Sequence, residues 1–416
     1  MTDIETALSD IRDRGLYRRM RMISGPQGPR VLLDGRPVLL LCSNNYLGLA
    51  DHPRVREAAA EAAMRYGAGA GASRLVSGNM RIHRRLEERL ADFKGYRSAL
   101  LFGSGYLANT GVVQALARPG EVVFSDALNH ASIVDGCRLA GADTFVYDHA
   151  DMDHLAWGLR EAEGRGSLIV TDGVFSMDGD VAPLEQIVEL ARRYDSRVMV
   201  DDAHGTGTIG PDGRGSVAAA GLEDEVDVLV GTLGKSLGSY GAYVCCDRSM
   251  AKYLVNTART LIFSTALAPP QVAAAMAALE LLREEPRRVE RLQRNARVLR
   301  EALGEHGLPA GDGDTPIVPA IVGDADTAVA ASERALERGV FAQAIRPPTV
   351  PEGSSRLRLT VMASHTKAEL REAAAVIAKA IPEQARKAAA RRALELETAA
   401  ALAAGPRVFD GLADAA

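Results

Sequence analysis

The sequence predicts an α/β protein: a large domain on a mostly parallel sheet, followed by a smaller C-terminal α/β domain. Three observations carry that expectation. Short apolar runs ending in Gly-rich or Asp-containing loops alternate with helical stretches between about residues 83 and 246. That alternation is the pattern of a sheet covered on both faces. The chain has 416 residues, too many for one compact core. A long helical region, about 268–304, leads out of the first set of strands into a second, shorter set.

The elements follow in order. Residues 1–45 read as an N-terminal helix and hairpin segment: a helix over 4–22, a Gly/Pro turn over 24–29, and a hairpin over 31–41 around Asp34-Gly35. Residues 46–285 form the large domain. Its first clear helix covers 83–93, with Leu86, Leu90 and Phe93 on one face. A short apolar strand over 98–102 ends at Gly103-Ser-Gly105, and a helix follows over 106–116. Further strands cover 121–124, 143–147, 167–170, 197–200, 226–230 and 242–245, with a helix over 184–194. Residues 286–381 form the small domain, with strands over 317–322, 340–345 and 355–360. Residues 382–416 read as an Ala/Arg-rich helical tail, and no internal repeat is visible.

Composition narrows the class. Hydrophobic residues make up 47% and charged residues 25%, which is ordinary globular composition. A net charge of −5 gives no general pull toward nucleic acid or an anionic membrane. No apolar run reaches the roughly 20 residues of a membrane helix, and the acidic, polar start is not a secretory signal. A cytoplasmic protein is expected. The four cysteines (Cys42, Cys137, Cys245, Cys246) lack metal or redox spacing, so buried free thiols are expected and no metal site.

The chemistry concentrates at strand ends, where sheets of this kind bind ligands. Lys235 stands in Gly231-Thr-Leu-Gly-Lys-Ser-Leu-Gly238, on a tight loop after an apolar run. Asp201 and His204 stand where the strand over 197–200 runs out. An amine free to reach an aldehyde, and a carboxylate able to hold a protonated ring nitrogen, are the two demands of pyridoxal phosphate. Either motif alone also fits a surface lysine or a capping Asp; the pair is far more specific. The Gly103–Tyr106 loop opens a helix, and its amides suit an anion. With Thr232 and Lys235, Gly105 and Tyr106 are expected to form a phosphate cup. His130 follows a strand and its flat ring suits stacking, although a lone histidine is as often structural. Ser176, after another strand, has a hydroxyl that fits either a ring oxygen or a turn. His204 suits a cofactor oxygen or a loop contact. In the small domain Arg346, Arg356 and Arg358 offer guanidinium forks for a carboxylate or for salt bridges. Arg356 and Arg358 share one face of their strand.

These residues together resemble one family. Leu41-Cys-Ser-Asn-Asn-Tyr-Leu-Gly-Leu49, Gly71-Ala-Ser-Arg-Leu-Val-Ser-Gly78, His83, Thr171-Asp-Gly-Val-Phe-Ser-Met-Asp-Gly179, Val200-Asp-Asp-Ala-His-Gly-Thr-Gly207 and the Lys235 loop are similar to the α-oxoamine synthases. Those are fold-type I pyridoxal-phosphate-dependent transferases that join an amino acid to an acyl thioester with loss of carbon dioxide. The resemblance runs from about residue 8 to residue 380, in family order.

The resemblance implies roles. Lys235 holds the cofactor and moves the Cα proton. Asp201 pairs with the ring nitrogen, His130 stacks on the ring, and Ser176 and His204 face its oxygen. Gly105, Tyr106 and Thr232 hold the phosphate, and Thr265 reaches in from a second subunit of a homodimer. Arg358 takes the amino acid's carboxylate, with Asn44 and Thr349 also at the substrate. Arg18 stands near the entrance, with Arg19 and Arg21 as alternatives. The segment Ala344-Ile-Arg-Pro-Pro-Thr-Val-Pro351 followed by Arg356-Leu-Arg-Leu359 is similar to the branch that uses L-alanine and a pimeloyl thioester of CoA or a carrier protein. Branches using glycine with acetyl or serine with palmitoyl thioesters compete with it. An aminotransferase or lyase on the same fold, and a non-catalytic binding homologue, are also compatible with the sequence.

Overall fold

The protein is described by a computed structural model covering residues 3–311, 313–388 and 391. Residues 383–388 are helical; the rest of the tail expected over 382–416 lies almost wholly outside the described residues.

A seven-stranded sheet organises the large domain. Its strands lie in the order Ser98–Phe102, Ala242–Cys246, Val228–Thr232, Arg197–Asp201, Ser167–Asp172, Val122–Asp126, Asp143–Tyr147. Only Ala242–Cys246 runs antiparallel to its neighbours. Val122–Asp126 and Ala242–Cys246 are buried along their whole length, as strands covered on both faces must be. Neighbours Cys245 and Cys246 fall into different core clusters, because successive side chains leave opposite faces of a sheet. All four cysteines are free thiols.

Register sets the site. Asp172 pairs with Asp201, and Ala242 pairs with both Thr232 and Phe102. The carboxyl ends of the strands that carry Phe102, Thr232, Asp201, Asp172 and Asp126 therefore open along one edge of the sheet.

The chain leaves through Pro269–Glu284 and Arg287–Glu305. The long helical region expected over about 268–304 consists of these two helices, separated at Pro286, whose ring cannot continue the first. The small sheet orders Ile317–Gly323, Ser355–Thr360 and Gln343–Ile345, all antiparallel. The strand expected over 340–345 is also divided. Val340–Phe341 instead pairs in parallel with Arg36–Leu40, so the N-terminal hairpin and the small domain share a four-stranded sheet. The first helix is shorter than expected, Ile4–Asp13. Gly15 follows at φ +65°, a left-handed conformation that stops a helix. Among the described residues no helix is long and apolar enough to cross a membrane.

Candidate active site

Lys235 lies one turn beyond the strand Val228–Thr232. Gly234 N–H donates to Thr232 Oγ1 (3.1 Å), and Thr232 Oγ1 donates to the Gly241 carbonyl (3.1 Å), so the loop is closed on itself. Lys235 Nζ stands 2.7 Å from His204 Nε2. Burial pushes the amine down to about 8, against the pull of Asp201 and Asp172, and Arg358 adds to the lowering.

His204 is buried and far below its usual pKa, first through burial, then through the charges of Lys235 and Arg358. A neutral imidazole has one donor and one acceptor nitrogen. His204 Nδ1 lies 2.7 Å from Tyr46 Oη, which donates to Asn44 Oδ1 at 3.1 Å. The network assigns the tautomer: Lys235 donates to Nε2, Nδ1–H donates to Tyr46, and Tyr46 donates to Asn44. Arg358 closes the chain. Its Nη2 reaches Tyr46 Oη (3.4 Å), and both terminal nitrogens reach Asn44 Oδ1 (3.3 Å). The Lys235 amine and the Arg358 guanidinium are therefore joined through two side chains.

A second network holds Asp201, which is 7% exposed. Its carboxylate accepts from Asn109 Nδ2 (2.6 Å) and from the Ala203 N–H (3.0 Å). The same Asn109 amide donates to Ser132 Oγ (2.9 Å), which lies 2.7 Å from His130 Nδ1. His130 caps the helix Ala131–Ala140, and burial of its ring lowers its pKa against the charge of Asp201. Asp172, the register partner of Asp201, is buried with Oδ2 unpaired. Burial first, then the charge of Asp201, pushes its pKa well up. Beneath the Asp201–His204 turn, Lys94 and Asp202 form a fully buried ion pair (2.8 Å), and Asp202 also accepts from Ser216. Such a pair needs its remaining hydrogen-bond positions filled, as they are here.

The remaining expected residues are placed as follows. Gly105 and Tyr106 open the helix Gly105–Leu116, where Ser104 accepts from Leu107 N–H (3.2 Å). The first amides of a helix lack intrahelical partners and suit an anion. The Tyr106 hydroxyl turns away to Asp135. Ser176 offers Arg358 its backbone carbonyl as acceptor from Nε. Arg356 is occupied by Asp178, and Arg346 by the carbonyls of Gly15 and Tyr17. Thr265 is exposed and pairs with Ser73 in an isolated bridge, outside both networks. Arg18 and Thr349 line a separate cleft of about 750 Å³, with Arg19, Arg21 and Arg346. Arg21 is held there by Glu333 (2.6 Å) and Asp34 (3.4 Å).

Structure thus brings together Lys235, His204, Asn44 and Arg358, and separately Asp201 with His130. Tyr46, Asn109, Ser132 and Asp172 are functional candidates that sequence reasoning did not single out. Tyr46 and Asp172 lie inside motifs already quoted, and Asn109 is a lone amide on a mostly apolar helix.

The residues fit pyridoxal phosphate. A buried amine near neutrality, a buried carboxylate fixed by two donors, and a helix N-terminus with free amides meet along one sheet edge. Comparisons agree. The family model "Aminotransferase class I and II" matches residues 36–377. The chain is 54% identical over 373 residues to the 8-amino-7-oxononanoate synthase of Citrifermentans bemidjiense, covering 89% of this chain and 96% of that one. It is 53% identical over 375 residues to the enzyme of the same name from Geobacter sulfurreducens, with the same coverage. A solved serine palmitoyltransferase with pyridoxal phosphate has 33% identity and a TM-score of 0.86, covering 91% of this chain and 96% of that one.

Proposed function

Because the chain belongs to the 8-amino-7-oxononanoate synthase family, among the pyridoxal-phosphate-dependent α-oxoamine synthases, we propose that its two networks divide one reaction between them. The protein is a pyridoxal-phosphate-dependent C-acyltransferase. It condenses L-alanine with a pimeloyl thioester, of CoA or of a carrier protein, and releases the thiol and carbon dioxide, as biotin synthesis requires.

When bound, the cofactor's protonated pyridine ring supplies an electron sink for the charge left at Cα. The chain's own residues do the rest. Lys235 holds the cofactor and, as an amine with a pKa of about 8, takes and returns the Cα proton near neutral pH. Asp201, oriented by Asn109 and Ala203, keeps a proton on the ring nitrogen. His130 would stack on the ring. His204, Ser176, Gly105, Tyr106 and Thr232 serve the remaining cofactor oxygens. Arg358, with Asn44 beside it, clamps the α-carboxylate of alanine. Arg18 and Thr349 serve the thioester side, and Thr265 serves the site of the other subunit in a cytoplasmic homodimer. The domain boundaries expected near residues 45, 285 and 381 belong to the same reading.

One observation carries it: Lys235 and Arg358 are joined through His204 and Tyr46, so proton transfer and carboxylate binding meet on one small substrate. The test is a matrix of amino acids and acyl thioesters scored by thiol release. Alanine with a pimeloyl thioester should be the best pair. Glycine with acetyl-CoA, or serine with palmitoyl-CoA, as the best pair would move the chain to another branch. Amino-group exchange with a keto acid, and no thiol release, would remove it from acyl transfer altogether.

A further inference from the structure

His149 lies beyond the strand Asp143–Tyr147 and takes no part in the reaction proposed above. Its ring nevertheless meets a carboxylate on each side. Nδ1 stands 3.0 Å from Asp126 Oδ1, and Nε2 stands 2.9 Å from Asp180 Oδ2. Carboxylates only accept, so each nitrogen carries a proton and the ring is a cation. Burial works against that charge, but the two carboxylates outweigh it and hold the group at about 10. The ring also stands edge-on to Phe175, 4.4 Å between centroids.

The two carboxylates belong to different parts of the site. Asp126 is 2% exposed and ends the strand that leads to His130. It also accepts from the Leu128 and Ala150 amides (2.8 and 2.9 Å). Asp180 closes the loop over 173–182, which is locked across its base by the Val174–Val181 bridge and by Phe175 N–H on the Asp180 carbonyl (2.9 Å). The tip of that loop is where the small domain seats. Arg358 Nε donates to the Ser176 carbonyl, Arg356 pairs with Asp178, and Thr315 Oγ1 donates to the Gly179 carbonyl at 2.6 Å. A Cβ on Gly179, at φ +77°, would stand 2.6 Å from the Ile317 carbonyl, so the approach is close.

We propose that His149 is a positioning residue for amino-acid binding: clamped between Asp126 and Asp180, it holds the loop over 173–182 where its tip sets the Arg358 guanidinium. The proposal rests on the assignment of Arg358 to the substrate carboxylate. It predicts a defined split. Loosening the clamp lets the tip and Arg358 drift, while Lys235 and Asp201, on other strands, keep their geometry.

The holoenzyme variants His149→Gln and Asp180→Asn test it, with Arg358→Lys in parallel. Three quantities are read: alanine KM against kcat at saturating thioester, alanine binding without thioester by the absorbance of bound cofactor, and cofactor retention on dialysis. Both clamp variants should raise the alanine KM and dissociation constant about five- to tenfold, part of the loss expected when a charge-assisted contact is misaligned. Changes in kcat should stay within about twofold, with cofactor retained. The double variant should be no worse than His149→Gln, because that change already removes the Asp180 contact. Asp180 is partly exposed, so its variant keeps the test open where His149→Gln fails to fold. A fall in melting temperature with unchanged alanine binding overturns the proposal and leaves the Arg358 assignment standing. Loss of kcat or cofactor at unchanged alanine KM overturns it in favour of a role on the His130 side. Weakened alanine binding in the clamp variants, but not in Arg358→Lys, overturns both assignments.

Discussion

The site around Lys235 and the cleft around Arg18 are built in opposite ways. The first is buried at the ends of sheet strands. Asp201, Asp172 and Thr232 occupy register positions, and Asp201 and His204 beside Lys235 are each fixed by hydrogen-bond partners. The second is formed by an extended N-terminal segment and the edge of the small domain, and its arginines are largely exposed. Low-dielectric surroundings strengthen every charge in the first region, whereas water and salt screen the second. Chemistry that depends on proton position belongs where geometry is rigid. The thioester recognition proposed for the second would tolerate its looser build. Variants in the first region should therefore change turnover by orders of magnitude, and variants in the second by small factors.

The largest effect is expected at Lys235. On the proposed roles, Lys235→Ala removes both the cofactor linkage and the base, and turnover should fall by about 10³ or more. Borohydride reduction followed by peptide mapping should place the cofactor on Lys235 in the parent; label elsewhere would end the assignment. The amine's pKa of about 8 has a further consequence for the cofactor-free protein. The neutral amine is the nucleophile, and below that pKa its fraction drops about tenfold per pH unit. Cofactor uptake by the apo-protein should thus quicken from pH 6 to about 8 and level off above. A rate still climbing toward pH 10 would show an ordinary, solvated lysine.

Asp201→Asn should come next, with a loss of roughly 10² in turnover at unchanged fold, because the shape survives and the charge does not. Asn109 and the Ala203 amide now donate to a carboxylate, and an amide oxygen can still accept from one of them. The melting temperature should accordingly move far less than kcat. Near-parental turnover would mean that another acid serves the ring nitrogen, and buried Asp172, register-paired with Asp201, is the group to test.

The same contrast decides what was legible in the sequence. Strand ends are readable because apolar runs stop at Gly and Asp, so Lys235, Asp201 and His204 stood out. The alternation of strands and helices is equally local, and the large sheet follows it. Contacts between residues far apart in the chain leave no such trace. Tyr46 meets His204 158 residues away, and Arg358 meets Asn44 314 residues away. Nothing near Arg356 announces that Asp178 occupies it. The sequence reads as a helix over 4–22, but the backbone at Gly15 turns left-handed and ends it after Asp13. Likewise the run over 340–345 reads as one strand, and only the tertiary fold assigns its halves to two sheets.

Arg358 and Arg356 stand at the boundary between the two regions and sharpen the comparison. Both are buried on one strand face, yet only Arg358 touches the Lys235 network. Arg358→Lys keeps a charge but loses the fork, so the alanine concentration needed for half-saturation should rise about ten- to a hundredfold. Arg356→Lys should leave alanine binding near parental and lower the melting temperature instead, since its partner Asp178 is structural. Spectroscopic titration of alanine against both variants separates them; the reverse pattern would exchange their roles.

The smallest effect belongs to the cleft. Arg18 and Arg21 line the same space, but Arg21 is held by Glu333 at 2.6 Å and Asp34 at 3.4 Å. An arginine with two carboxylate partners has little attraction left for an anionic substrate, so Arg18 rather than Arg21 is the contact proposed for the thioester side. Exposed charges contribute only ~0.2–1 kcal/mol and are screened within about 10 Å at 0.1 M salt. Arg18→Ala should therefore raise the thioester KM about two- to threefold at low ionic strength, with kcat unchanged. Because a rim charge acts on encounter more than on the bound state, the difference from the parent should vanish as salt is raised to about 0.5 M. Arg21→Ala should do the opposite, leaving the thioester KM alone and loosening the N-terminal segment from Glu333, seen as faster proteolysis near residues 15–22. A salt-dependent KM effect in Arg21→Ala and none in Arg18→Ala would exchange the two. A loss of kcat in Arg18→Ala as large as that of Asp201→Asn would erase the distinction between the cleft and the buried site.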